Sequence, residues 1–312
     1  MFAAYWTALF ATTGIWIVTL TAPTHTQLPP PEPKQKQTYT RAEDVIYGRR
    51  DGMALTLDVL IPNRPNGLGV ILFVSSGHRS GRDVLAQFHP MATTPCLNQG
   101  YTVFAVMHAS QPKYTTQEII EVAHRAVRFV KFNAKKYEID PDRIGVTGAS
   151  AGVHLCLMVG CTGLPGNPTA TDQVEQQSSK VKAVACLFPP IDFLAPEDSC
   201  PKQIVAAFDF REFEKSSGKF VTVSPERRRE IGRQLSPLTH ASKGSAPTLI
   251  IHGYEDKLVP ISQSEAVIKR LNACGVECKL EIRKGRARIG TWVFAELPLL
   301  VDWFNVHLLE KK

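Results

Sequence analysis

From Asp44 onward, short runs of apolar, β-branched residues alternate with longer runs whose apolar positions recur every three or four residues. The first pattern suits buried strands and the second amphipathic helices. Their alternation without an internal repeat predicts an α/β fold, a largely parallel sheet with helices on both faces. Runs 44–49 and 53–61 flank the turn dipeptide Asp51-Gly52 and predict an antiparallel hairpin that opens the sheet. Runs 69–74, 101–107, 143–147, 181–188, 247–252 and 276–283 predict the buried strands that follow. Thr115-Thr116-Gln117-Glu118 reads as a capping box, and Ile119, Val122, Ala123, Ala126, Val130 and Ala134 then fall on one helical face. Runs 262–274 and 295–309 predict later helices. The stretch 196–244 breaks the rhythm, being charge-rich and interrupted by Pro225 and Pro237, and it stands where a cap inserted over a site would be.

Residues 1–31 contain no Asp, Glu, Lys or Arg. Residues 1–26 therefore read as a signal peptide or N-terminal anchor, 27–40 as a Pro-rich linker and 41–312 as the folded domain. Export to a secreted or periplasmic location follows, with membrane contact only through such an anchor. The hydrophobic content of 44% is ample for a sizeable core. The net charge of +7 is spread among charges of both signs. Arg227-Arg228-Arg229, flanked by Glu226 and Glu230, reads as a solvated helix face, so no nucleic-acid partner is expected. Of seven cysteines, Cys156, Cys161 and Cys186 read as buried apolar residues, while Cys274 with Cys278, or Cys200 with either, could form a bridge. No cysteine pair has zinc spacing with accompanying histidine, and no Gly-rich phosphate loop is present, so no metal or cofactor is expected.

Gly148-Ala149-Ser150-Ala151-Gly152 follows a strand-like run and opens a helix-like one, the context of a nucleophile elbow that lifts the Ser150 hydroxyl clear of the sheet. A serine hydroxyl needs an imidazole to take its proton and a carboxylate to orient that imidazole. Asp256 stands in the loop after the strand 247–252, at the edge where open parallel sheets bind ligands. The histidine should stand in 285–292, yet none of the nine histidines lies between His252 and His307. His78, in the loop expected to border Ser150, is a candidate substitute base, with a simple packing role as the alternative. His154 reads as a structural histidine one helical turn past Ser150, and His252 as a partner of loop backbone.

The chain from about Arg41 resembles the α/β-hydrolase superfamily, in its esterase and lipase branch of small acetyl- and feruloyl-esterase-like enzymes. Beyond the elbow, the resemblance rests on Val45-Ile46-Tyr47-Gly48 with Leu57-Asp58-Val59, Ile139-Asp140-Pro141-Asp142-Arg143-Ile144, His154-Leu155, the stretch from His252 to Pro260, and Asp302-Trp303-Phe304. It implies Ser150 as nucleophile, Asp256 as acid and the Ala151 amide as an oxyanion donor. The family's His-Gly-Gly-Gly-Trp loop falls on Val74-Ser75-Ser76-Gly77-His78, which implies further donors in the amides of Ser76 and Gly77. The family's catalytic histidine falls on Arg288.

An arginine has five donors, no acceptor and a pKa above about 12, so it cannot take the serine proton. Two readings follow. The first is a serine hydrolase cleaving small carboxylic esters, acetyl or aryl esters of saccharides among them, through a Ser150 acyl-enzyme. The second is a catalytically silent relative that binds a small or anionic ligand in the retained pocket. In either case Arg288 is placed to form a bidentate pair with Asp256, or to turn toward Ser150 as part of an anion receptor.

Overall fold

Gly69–Val74 and Thr102–Met107 are buried along their whole length, which requires a sheet covered on both faces. A computed structural model describes residues 38–193, 210–214 and 216–309 and supplies that sheet. In chain order the elements are β1 (Tyr39–Arg50), β2 (Met53–Pro62), β3 (Gly69–Val74), α1 (Arg82–Asn98), β4 (Thr102–Met107), α2 (Thr116–Phe132), β5 (Ile144–Ala149), α3 (Ala151–Thr162) and β6 (Ala183–Leu187). There follow β7 (Arg211–Glu214), β8 (Lys219–Thr222), α4 (Pro225–Leu235), α5 (Pro237–His240), β9 (Thr248–Gly253), α6 (Ile261–Ala273), β10 (Cys278–Arg283) and α7 (Trp292–Leu308).

The strand order is β1-β2-β4-β3-β5-β6-β9-β10. β1 and β2 pair antiparallel, as do β2 and β4, and every pairing from β4 to β10 is parallel. From β3 the chain crosses to β4 on one side and then returns to β5 on the other. The crevice at the carboxyl ends of β3 and β5 is thus a topological switch point, where such sheets hold ligands.

The pleat sends alternate side chains to opposite faces. In β3, Ile71 and Phe73 join the core cluster that includes α2, α3 and α6, while Val70, Leu72 and Val74 join the cluster under α1 and α7. The result is a three-layer α/β fold, as the alternation of runs predicts, and it is the α/β-hydrolase fold that the resemblance implies. Thr115 caps α2 through its side chain and Glu118 returns the bond to the Thr115 backbone, completing the expected capping box.

Several boundaries differ from the sequence expectation. β1 begins at Tyr39, inside the expected linker. α1 is not apparent from the pattern, because Pro90 and Pro95 interrupt its apolar spacing. Pro225 and Pro237 do not interrupt helices. They stand in the first turns of α4 and α5, where a missing N–H costs nothing. The arginine run lies on α4 and is ion-paired, Arg227 with Glu212 and Glu230, and Arg229 with Glu226. Cys274 and Cys278 are free thiols rather than a bridge: the first turns its Sγ to the Ala241 carbonyl at 3.3 Å and the second to Asn272 Oδ1 at 3.2 Å. The expected leader and Cys200 lie outside the described residues, as does the stretch 194–209 that covers the start of the expected cap. Among the described residues no helix is long and apolar enough to cross a membrane, and no group of side chains is arranged to hold a metal ion.

Candidate active site

Between β5 and α3 the chain reverses at Ser150, whose φ of 55° and ψ of −122° lie outside the regions L-residues prefer. Such a residue costs about 1–3 kcal/mol and persists only where its surroundings hold it. The Ser150 amide donates to the Leu187 carbonyl at 3.1 Å, and the Ser150 carbonyl accepts from Val153 at 2.9 Å. Gly152 makes the turn fit, since a Cβ there would stand 2.5 Å from the Phe73 carbonyl oxygen. Ala151 is the first residue of α3, so its amide is one of the N-terminal donors that no helical carbonyl satisfies.

The loop after β3 passes beside this turn. Gly77 and His78 both have positive φ, 57° and 59°. The Ser76 amide donates to the Arg79 carbonyl at 2.9 Å and accepts the return bond from Arg79 at 3.1 Å through its own carbonyl. That small bridge uses the donor the oxyanion role requires, so Ser76 is removed from the expected set, which leaves the amides of Ala151 and Gly77.

His78 points elsewhere than a base should. Its Nε2 lies 3.2 Å from His154 Nδ1, and His154 Nε2 lies 2.7 Å from the Leu235 carbonyl. A nitrogen facing a carbonyl carries the proton, so His154 donates through Nε2 and accepts from His78 through Nδ1. Burial, together with the neighbouring His154 and His108, pushes the His78 pKa well below the ordinary histidine value. His78 is thus corrected from candidate base to buried partner of His154, and the pair ties the loop after β3 to α3 and α4.

Asp256 sits after β9 with its side chain fully buried. Its Oδ1 accepts from the amides of Leu258 and Val259, both at 2.9 Å. Its Oδ2 accepts from Arg288 Nη1 at 2.7 Å and lies 3.2 Å from His252 Nε2. Burial alone would raise this carboxyl's pKa, but the bonds from His252 and Val259 and the charge of Arg288 hold it below the usual value. His252 also faces Ser264 Oγ at 2.7 Å and the Val259 carbonyl at 3.0 Å. Its expected bond to loop backbone is present, while its contact with Asp256 was not apparent from the sequence.

Arg288 completes the group. Its Nη2 donates to Ser150 Oγ, and its guanidinium lies 4.7 Å from the centre of the Phe188 ring. The loop before α7 reaches this position because Gly253 has no side chain; a Cβ there would lie 2.5 Å from the carbonyl oxygens of Arg286 and Ala287. Burial lowers the Arg288 pKa and Asp256 opposes that shift, yet a guanidinium starts so high that it stays charged. Of the two placements open to Arg288, the structure shows the turn toward Ser150 together with a single bond to Asp256 rather than the expected bidentate pair, because Asp256 Oδ1 is taken by the amides of Leu258 and Val259. Among the described residues, Arg288 is the side chain that meets the Ser150 hydroxyl.

These features have relatives. The chain is 26% identical over 274 residues to the probable carboxylic ester hydrolase LipM of Mycobacterium tuberculosis, covering 86% of this chain and 57% of that protein. It is 23% identical over 269 residues to the isoprenylcysteine alpha-carbonyl methylesterase of Arabidopsis thaliana, covering 82% of this chain and 57% of that one. The chain thus spans a little over half the length of these relatives. Among solved structures, a truncated carbohydrate esterase from gut microbiota superposes with a TM-score of 0.68 at 22% identity, covering 86% of this chain and 98% of that one. An acetyl ester-xyloside bifunctional hydrolase from Caldicellulosiruptor lactoaceticus does so with the same score and identity, covering 84% and 93%. The BD-FAE family profile matches residues 57–271, well over half of the chain, and with the sheet order and elbow already described it makes this protein a member of the BD-FAE family.

Proposed function

We propose that the chain belongs by class to the carboxylic ester hydrolases, that its pocket receives small carboxylic esters, and that Ser150 is the residue an acyl group would reach. The names borne by LipM and the Arabidopsis methylesterase support the ester class, and the Caldicellulosiruptor hydrolase supports acetyl esters within it. Residues 1–26 serve as export signal or anchor, and the elements from β7 to α5 form part of the cap.

Turnover is slow. The observation that carries this part of the reading is the single guanidinium spanning Asp256 and the Ser150 hydroxyl, in the place where a triad holds its imidazole. Arg288 offers no lone pair, so the serine proton has no acceptor and the acyl-enzyme forms at only a residual rate. Donors facing the hydroxyl favour a negative oxygen instead, so a carboxylate or similar anion is held better than the neutral ester.

A chromogenic short-chain acetate ester tests both parts. The wild type is expected to hydrolyse it within about tenfold of Ser150→Ala, whereas Arg288→His is expected to raise turnover on the order of a thousandfold or more. Efficient hydrolysis by the wild type would overturn the role given to Arg288. A folded but inert Arg288→His would overturn the assignment of Ser150.

A further inference from the structure

The loops that carry Asp256 and Arg288 also present side chains that the site chemistry does not use. Tyr254 is 58% exposed, Leu258 41% and Ile289 75%. The two loops form one surface, because the Tyr254 amide donates to the Arg283 carbonyl at 3.0 Å and the Glu255 amide to the Arg286 carbonyl at 2.9 Å. Single exposed apolar residues are ordinary, but three large ones on paired loops at the mouth of a site mark a contact surface. Lys257, Lys284 and Arg286 are exposed on the same loops, against the lone exposed Glu255. None of these three cations has an ion-pair partner among the described residues, although Lys279, Arg283 and Arg288 nearby are all paired.

We infer that this rim docks the protein on an anionic lipid surface, with the mouth beside Ser150 turned toward the interface. Unpaired cations on long apolar stems, interspersed with Tyr254, Leu258 and Ile289, match a layer whose headgroups are negative and whose next depth is hydrocarbon. A protein partner would be expected to meet a drier apolar centre with charges confined to its margin. The docking goes beyond the ester reading, since it needs no turnover and holds whether Ser150 is acylated or silent.

Sedimentation of the full chain with vesicles tests it, using phosphatidylglycerol mixed with phosphatidylcholine against phosphatidylcholine alone at about 0.1 M salt, near the physiological screening regime. The wild type is expected to prefer the anionic vesicles. Each cation contributes roughly fivefold in affinity, so the triple variant Lys257→Ser, Lys284→Ser, Arg286→Ser should bind on the order of a hundredfold more weakly. Ile289→Ser should weaken binding severalfold. Phe132→Ser, at the end of α2 on the opposite edge of the sheet, should leave it unchanged. All these positions are exposed, and circular dichroism verifies that each variant is folded. Equal binding by the wild type and the triple variant would overturn the inference, including the case in which N-terminal residues carry the attachment. A wild type with no preference for anionic vesicles would overturn it equally.

Discussion

Asp58 on β2 and Asp256 in the loop after β9 are both carboxylates with fully buried side chains gripped by arginine, and they differ in what the arginine does next. Asp58 accepts from Arg41 Nε at 2.9 Å, from Arg82 Nη1 at 2.6 Å and from the Asp44 amide at 3.1 Å. Its arginines then turn to further carboxylates, Arg41 to Glu43 and Arg82 to Asp44, and both remain partly in water. The network is closed on itself and stitches the opening hairpin to α1. Asp256 is held by one arginine whose side chain is only 11% exposed, and that arginine ends on the Ser150 hydroxyl. The same ion pair is thus a lock in one place and, in the other, a lock that also holds the hydroxyl of Ser150.

The sharpest way to break this comparison is to replace each arginine by histidine. Arg288→His should raise ester turnover by about three orders of magnitude, whereas Arg82→His should leave turnover near the wild-type level. Equal responses in a chromogenic assay would mean that the two arginines are merely structural alike.

Next in size is the loss of the carboxylates. Asp256→Asn strands a nearly buried guanidinium and should cost about 3–5 kcal/mol in urea unfolding. Asp58→Asn should cost less, about 1–3 kcal/mol, because Arg41 and Arg82 can recover water and their other carboxylates. Coupling Asp256→Asn with Arg288→Met should restore most of the loss, since no buried charge is then left unpaired.

The smallest effect is on acid stability. Burial works against both carboxyls, yet their hydrogen bonds and arginines hold them below the usual value, Arg82 and Arg41 for Asp58, His252 and Arg288 for Asp256. A carboxyl whose pKa is lowered on folding stabilises the protein fully above the unfolded value of about 3.9, and that contribution fades as pH falls through the lower folded value. Removing the cation from Asp256 raises its folded pKa, so Arg288→Met should begin to unfold at higher pH than the wild type. Tryptophan fluorescence during acid titration measures the shift, and an unchanged midpoint would mean that Arg288 does little for that carboxyl.

The two sites were not equally legible. The turn at Ser150 is written in five contiguous residues, because a sharp strand-to-helix reversal leaves few choices at the flanking positions and Gly152 meets the Phe73 backbone directly. Asp256 was readable as a loop position at a strand end, and Arg288 as the residue standing where the resemblance expects an imidazole. The Ser76 amide was misread, since only the folded loop shows Arg79 turning back to take it. Of the two roles open to His78 the structure shows the packing one, and the sequence could not choose because its partner His154 is 76 positions away and no local pattern joins them. α1 was missed because two prolines masked its period, while Pro225 and Pro237 looked like interruptions and proved to be helix starts.

The order of elements, the faces they bury and the place of the elbow follow from the sequence alone. Each depends on side-chain periodicity and turn chemistry within a few residues of itself. Which donor reaches which acceptor across the mouth of the site is a different matter, because it depends on loops from β3, β5, β9 and β10 brought together only when the sheet closes. The guanidinium on Ser150, the free thiols of Cys274 and Cys278 and the exposed apolar rim were therefore decided by tertiary structure. A few ångströms between distant segments separate a bond from its absence, and no stretch of sequence specifies distances at that range.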